Sequence, residues 1–102
     1  MRGKPTPEGL LTNSIRSLLK SAGVWHWKNW GGGFGQKGVS DLLGCWRGRM
    51  LAIEVKTPAG RVSPDQQRFL DNVNAAGGIG FVARSLDDVI EGLGLQDRFL
   101  VR

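Results

Sequence analysis

The chain has 102 residues, a net charge of +5, 16 glycines and 1 cysteine. That length gives one domain with a modest core and leaves no room for a second. The lone Cys45 excludes an intramolecular disulfide, no apolar run approaches the roughly 18 residues a membrane span needs, and the positive balance favours a polyanionic partner such as nucleic acid. The opening residues lack the apolar run of a secretory leader, which predicts a cytoplasmic protein.

In chain order, Thr6-Pro7-Glu8 has helix-start chemistry, with Thr6 as N-cap and Pro7 at the first helical position. Leu11, Ile15, Leu18, Leu19 and Ala22 then recur at helical spacing, and Gly23 suits the helix end. Val24 to Trp30 reads as an aromatic strand. Alternation puts Trp25 and Trp27 on one face and His26, Lys28 and Trp30 on the other. One of these faces is expected to pack on the first helix and to bury at least two of the tryptophans. A tryptophan left exposed would instead stack on an unpaired base. His26 has no Cys or second His at zinc-ligand spacing, so it reads as a structural residue. The glycine-rich stretch from Gly31 to Gly38 is a loop, and no helix pattern follows it as a phosphate-binding loop would require. Lys28 and Lys37 are candidate phosphate contacts.

Lys37 to Lys56 organises the rest. Two apolar runs flank Trp46-Arg47-Gly48-Arg49, the pattern of a β-hairpin. Cys45 lies in the first run and reads as a packing residue. In the second run Leu51, Ile53 and Val55 point to one face, and Glu54 and Lys56 to the other. A two-residue loop puts Asp41 on the face of Glu54 and Lys56. It lies across from Glu54 if the loop is Arg47-Gly48, and across from Lys56 if it is Gly48-Arg49. Two carboxylates and an ammonium thus converge on one patch of sheet. That set can hold a divalent cation and stabilise charge at a phosphoryl group; the competing reading is a solvated face with a weak cross-strand ion pair.

Ser63-Pro64-Asp65-Gln66 then starts a second helix, with Ser63 as N-cap and Gln66 closing a capping box. Phe69, Leu70, Val73 and Ala76 set its apolar face; Gln66 shares that face, Gln67 lies about 100° away, and Arg68 points outward. Arg61 and Arg68 join the candidate DNA contacts. Ile79 to Ala83 reads as a buried strand parallel to Leu51–Lys56, because a helix connects the two. A third helix opens at Ser85 with Leu86, Val89, Ile90 and Leu93 inward, and Phe99, Leu100 and Val101 make an apolar tail. The order α-β-β-β-α-β-α predicts an α/β fold with a mixed sheet of about four strands flanked by helices.

Gly38-Val39-Ser40-Asp41, Ile53-Glu54-Val55-Lys56 and Gly60-Arg61-Val62-Ser63-Pro64-Asp65-Gln66, in this order, resemble the VRR-NUC branch of the PD-(D/E)xK nucleases. In that branch Gly-x-Pro-Asp or Gly-x-Ser-Asp is followed by Glu-x-Lys and a Ser/Thr-x-x-Gln helix start. The resemblance runs from about Glu8 to Val89. It implies a restriction-endonuclease-like core filling residues 1–102 and metal-dependent DNA hydrolysis of the kind seen in short phage and bacterial members. It also implies a structure-directed endonuclease for branched DNA, four-way (Holliday) junctions or flaps. Separately, so small a domain has little surface with which to recognise DNA, which leads to the expectation of a homodimer. Carried onto this sequence, Asp41, Glu54, the Val55 carbonyl and Glu8 would hold Mg²⁺ or Mn²⁺, Lys56 would serve the attacking water, and Gln66 would orient the site. The alternative expectation is a non-catalytic nucleic-acid-binding module with a vestigial metal site.

Overall fold

The structure, a computed structural model, describes residues 4–31 and 35–96. The apolar tail containing Phe99, Leu100 and Val101 lies outside the described residues, as does part of the glycine-rich loop. The elements follow the expected order: α1 (Pro7–Ser21), β1 (Trp25–Lys28), β2 (Leu42–Trp46), β3 (Arg49–Val55), α2 (Pro64–Ala75), β4 (Ile79–Ala83) and α3 (Leu86–Gly92). The sheet order is β1-β2-β3-β4, with β1, β2 and β3 antiparallel and β4 parallel to β3. No helix among the described residues is long and apolar enough to cross a membrane.

Local chemistry sets the ends of these elements. Thr6 accepts from the Gly9 N–H at 2.9 Å, which satisfies an otherwise orphaned donor of α1. Ser63 and Gln66 exchange bonds in a complete capping box at the start of α2. Trp46 pairs with Arg49, so the hairpin loop is Arg47-Gly48; both residues have positive φ, 51° and 78°, as a type I′ turn demands.

Three layers result. On one face, Leu51, Ile53, Val55 and Leu42 pack with Ile15 and Leu19 of α1 and Val89 and Leu93 of α3. On the other, Leu43 and Ala52 pack with Leu70 and Val73 of α2. The part of that face that carries Glu54 is covered, with Glu54 only 2% exposed, which rules out the solvated-face reading.

Several side chains depart from expectation. Trp25, Trp27 and Trp30 are exposed instead of packed on α1. The reason is position: β1 is an edge strand, while Ile15 and Leu19 spend the apolar stripe of α1 on central strands and α3. It is His26 that turns toward α1, where Arg16 Nε lies 3.5 Å from its Nε2. Cys45 is likewise exposed, because it sits beside Trp25 in the part of the sheet that α2 does not cover. Leu86 and Ala76 also face solvent, being at the first position of α3 and the C-cap of α2.

Candidate active site

The register that ends at Leu42–Ile53 places Asp41 opposite Glu54 at the open end of the hairpin. Asp41 is anchored from both sides: the Asn29 N–H donates to its backbone carbonyl at 2.7 Å, and the Val55 N–H donates to its Oδ2 at 2.8 Å. Val55 itself fills the α1/α3 core. Lys56 follows β3 and stays tied to β4, its N–H donating to the Ala83 carbonyl at 3.0 Å. Its Nζ lies 3.6 Å from Glu54 Oε2.

Glu54 is only 2% exposed, and its Oε1 is buried with no hydrogen-bond partner among the described residues. Burial first, then the neighbouring Asp41 carboxylate, pushes its pKa from 4.5 up to about 8, against the opposing pull of Lys56. One ammonium therefore does not offset the acidic pair. With both carboxylates ionised the site has oxygen donors in excess and too little positive charge, and a divalent cation would supply what is lacking. The residues present fit such an ion.

The remaining candidates lie on other elements, and Lys28, which pairs with Leu42, is on the opposite face of the sheet from Asp41 and Glu54. Glu8 is exposed in the first turn of α1 and shares a surface depression with Thr57, Pro58 and Ala59, the loop directly after Lys56. Among the described residues no group of three or more His, Cys, Asp or Glu could hold a metal, so the close acidic set is the pair Asp41 and Glu54. Gln66 is half-buried, and its Oε1 accepts from the Ser63 N–H at 2.9 Å, which leaves Nε2 as its remaining donor group. Gln67 is exposed and donates to Asp71. Lys28 holds its Nζ 4.9 Å from the centre of the Trp30 ring. Lys37 lies against α2 with Asp65, Arg68 and Asn72, Arg61 is exposed in the loop before α2, and Arg68 pairs with Asp65.

The family model for the VRR-NUC domain matches residues 8–87. The chain belongs to the VRR-NUC family. It is therefore a nuclease-type domain that acts on DNA, within a family whose members generally depend on a divalent metal. A search of curated proteins finds no match.

Two supports of the candidate site escaped sequence reading. Arg84, just past β4, sends Nη1 to the carbonyls of Thr57 and Gly60, both at 2.7 Å. The loop it holds packs on the Lys56 stem, since a Cβ at Gly60 would lie 3.4 Å from Lys56 Cδ. Gly38 is the second. Its φ is +74°, and a Cβ there would stand 2.2 Å from the Asp65 carbonyl oxygen, so the segment leading into Asp41 lies directly on the α2 cap. The glycine of the first motif was legible, but nothing local shows that α2 is what it touches.

Proposed function

We propose that this VRR-NUC domain is a Mg²⁺- or Mn²⁺-dependent endonuclease that hydrolyses DNA phosphodiester bonds, directed by structure to four-way junctions or flaps. The carrying observation is the buried, partnerless Oε1 of Glu54 beside Asp41. A free buried carboxylate oxygen costs stability unless something occupies it. Asp41, Glu54 and the Val55 carbonyl would be the holding set, with Glu8, beside the loop after Lys56, a further oxygen donor if it moves toward them. All are oxygen donors, which suits hard cations over zinc or copper. When bound, such an ion supplies Lewis-acid polarisation of the scissile phosphate and neutralises the acidic pair.

The chain's own residues do the rest. Asp41, pinned at its carbonyl and at Oδ2, keeps one carboxylate oxygen in a fixed direction. Lys56 holds an ammonium at the edge of the acidic pair, where it orients the attacking water and stabilises the negative charge that builds on the phosphoryl group. The Gln66 Nε2 is a second donor for that water. Lys28, Lys37, Arg61 and Arg68 contact backbone phosphates. A two-fold homodimer would offer two such sites to two strands.

The test is cleavage of a labelled four-way junction beside flap, linear duplex and single strand, each with Mg²⁺, Mn²⁺ or EDTA. Metal-dependent cutting, strongest on the branched DNAs and reduced at least about a hundred-fold by Lys56→Ala, is the expected result. Binding without cutting under every condition would overturn it in favour of the vestigial-site reading.

A further inference from the structure

The face of the sheet that carries Asp41 and Glu54 is only half roofed. α2 closes Leu43, Ala52, Leu70 and Val73 into a core, while among the described residues the outer strand of that face stays exposed. Trp27 pairs with Leu43 and Trp25 with Cys45, so both indoles lie on the acidic face. They are 38% and 66% exposed, unusual for the largest apolar side chain. Their ring centres are 5.1 Å apart at an interplanar angle of 58°, so each ring limits the motion of the other.

Two things bear on what covers this patch. The first is size. Trp25 and Trp27 with Met50, 46% exposed, present roughly 350 Å² of apolar surface, short of the roughly 450 Å² of apolar area within the ~800 Å² per partner of a standard protein interface. A few nucleotides need no more. The second is place and charge. Trp27 is one strand over and two residues along from Asp41, about 8 Å on sheet spacings. That is two to three nucleotides of a stacked strand at ~3.4 Å each. The chain carries +5, and the turn beyond Cys45 adds Arg47, so a polyanion is the complementary occupant.

We propose that Trp25 and Trp27 form a stacking platform for unpaired bases of the DNA strand whose phosphate lies at Asp41 and Glu54. Every base has a π-face, so such a platform selects single-stranded nucleotides next to duplex without selecting sequence. The proposal rests on the nuclease reading for its orientation, and its test separates the two.

Binding is measured by fluorescence anisotropy in the Asp41→Asn chain, so that no DNA is cut. The probes are a fully paired duplex, the same duplex with a single-stranded flap, and a thymidine oligonucleotide. Trp25→Ala and Trp27→Ala should each weaken flap and oligonucleotide binding about ten-fold, with less than two-fold change on the paired duplex. Trp27→Phe should recover part of the loss. Circular dichroism checks that each variant folds. Equal binding by wild type and both alanine variants would overturn the platform. So would equal loss on all three DNAs accompanied by a shift from dimer to monomer in gel filtration, which would make the patch a contact between copies. If the wild type cuts nothing but the flap-selective loss is found, the nuclease reading fails and the platform stands. If cutting is present and both tryptophans are dispensable, the platform fails alone.

Discussion

Arg68 and Asp65 lie one turn apart on α2, 2.6 Å from nitrogen to oxygen, with side chains 64% and 41% exposed. Lys56 and Glu54 lie two residues apart at the end of β3, 3.6 Å from nitrogen to oxygen, with side chains 15% and 3% exposed. The shorter pair is the weaker one in consequence. Water screens it, and ordering two flexible side chains cancels most of its gain. The longer pair stands in a partly closed site where ionising Glu54 beside Asp41 would leave negative charge unmatched, and Glu54 Oε1 has no partner among the described residues. A fold gains little from such an arrangement, whereas a site that is to receive a cation and a phosphate requires it.

The comparison is sharpened most by Glu54→Gln. It should reduce metal-dependent cleavage at least about a hundred-fold, as loss of a cation-holding oxygen demands. It should also change how the metal-free protein responds to pH. In the folded chain Glu54 holds its proton up to about pH 8, whereas in the unfolded chain it gives the proton up near 4.5. Between those values the native state binds more protons, so stability falls as pH rises through that window and this contribution is constant beyond it. Thermal unfolding in EDTA should show a steeper decline from pH 5 to pH 8 for wild type than for Glu54→Gln. Parallel curves would mean that Glu54 is not desolvated.

Gly38→Ala tests what holds the acidic pair in place. The added methyl group meets the Asp65 backbone, and the positive φ disfavours any side chain. Urea unfolding should show a loss of about 2 kcal/mol or more, with cleavage lost ahead of fold. Smallest is Arg68→Ala, which removes the short exposed pair. The same titration should move by less than ~0.5 kcal/mol; a larger change would break the contrast from which these tests start.

Much of this molecule was legible because its signals are local. Period-two alternation around Arg47-Gly48 brought Asp41, Glu54 and Lys56 to one face, and the Ser63–Gln66 spacing announced the capping box. The turn itself stayed ambiguous from sequence, since a non-glycine residue, Arg47, takes positive φ in it. What was illegible depends on neighbours distant in the chain. The tryptophans of β1 read as core because alternation gives faces but not whether a strand is central or at an edge. Cys45 was misjudged for the same reason. Nothing in the sequence marks Arg84, because the carbonyls it holds belong to the loop before α2, more than twenty residues earlier in the chain. The burial of Glu54 likewise needs α2 docked above it.

That last dependence reaches into how the protein comes to be. Gly38 meets the α2 cap only after β3, the loop and α2 have all been laid down, so the entropy of closing that long segment is spent before Asp41 is fixed. The arrangement proposed to hydrolyse DNA then belongs to the folded chain and not to its hairpin. A peptide of residues 37–56 would contain Asp41, Glu54 and Lys56 and still hold no site.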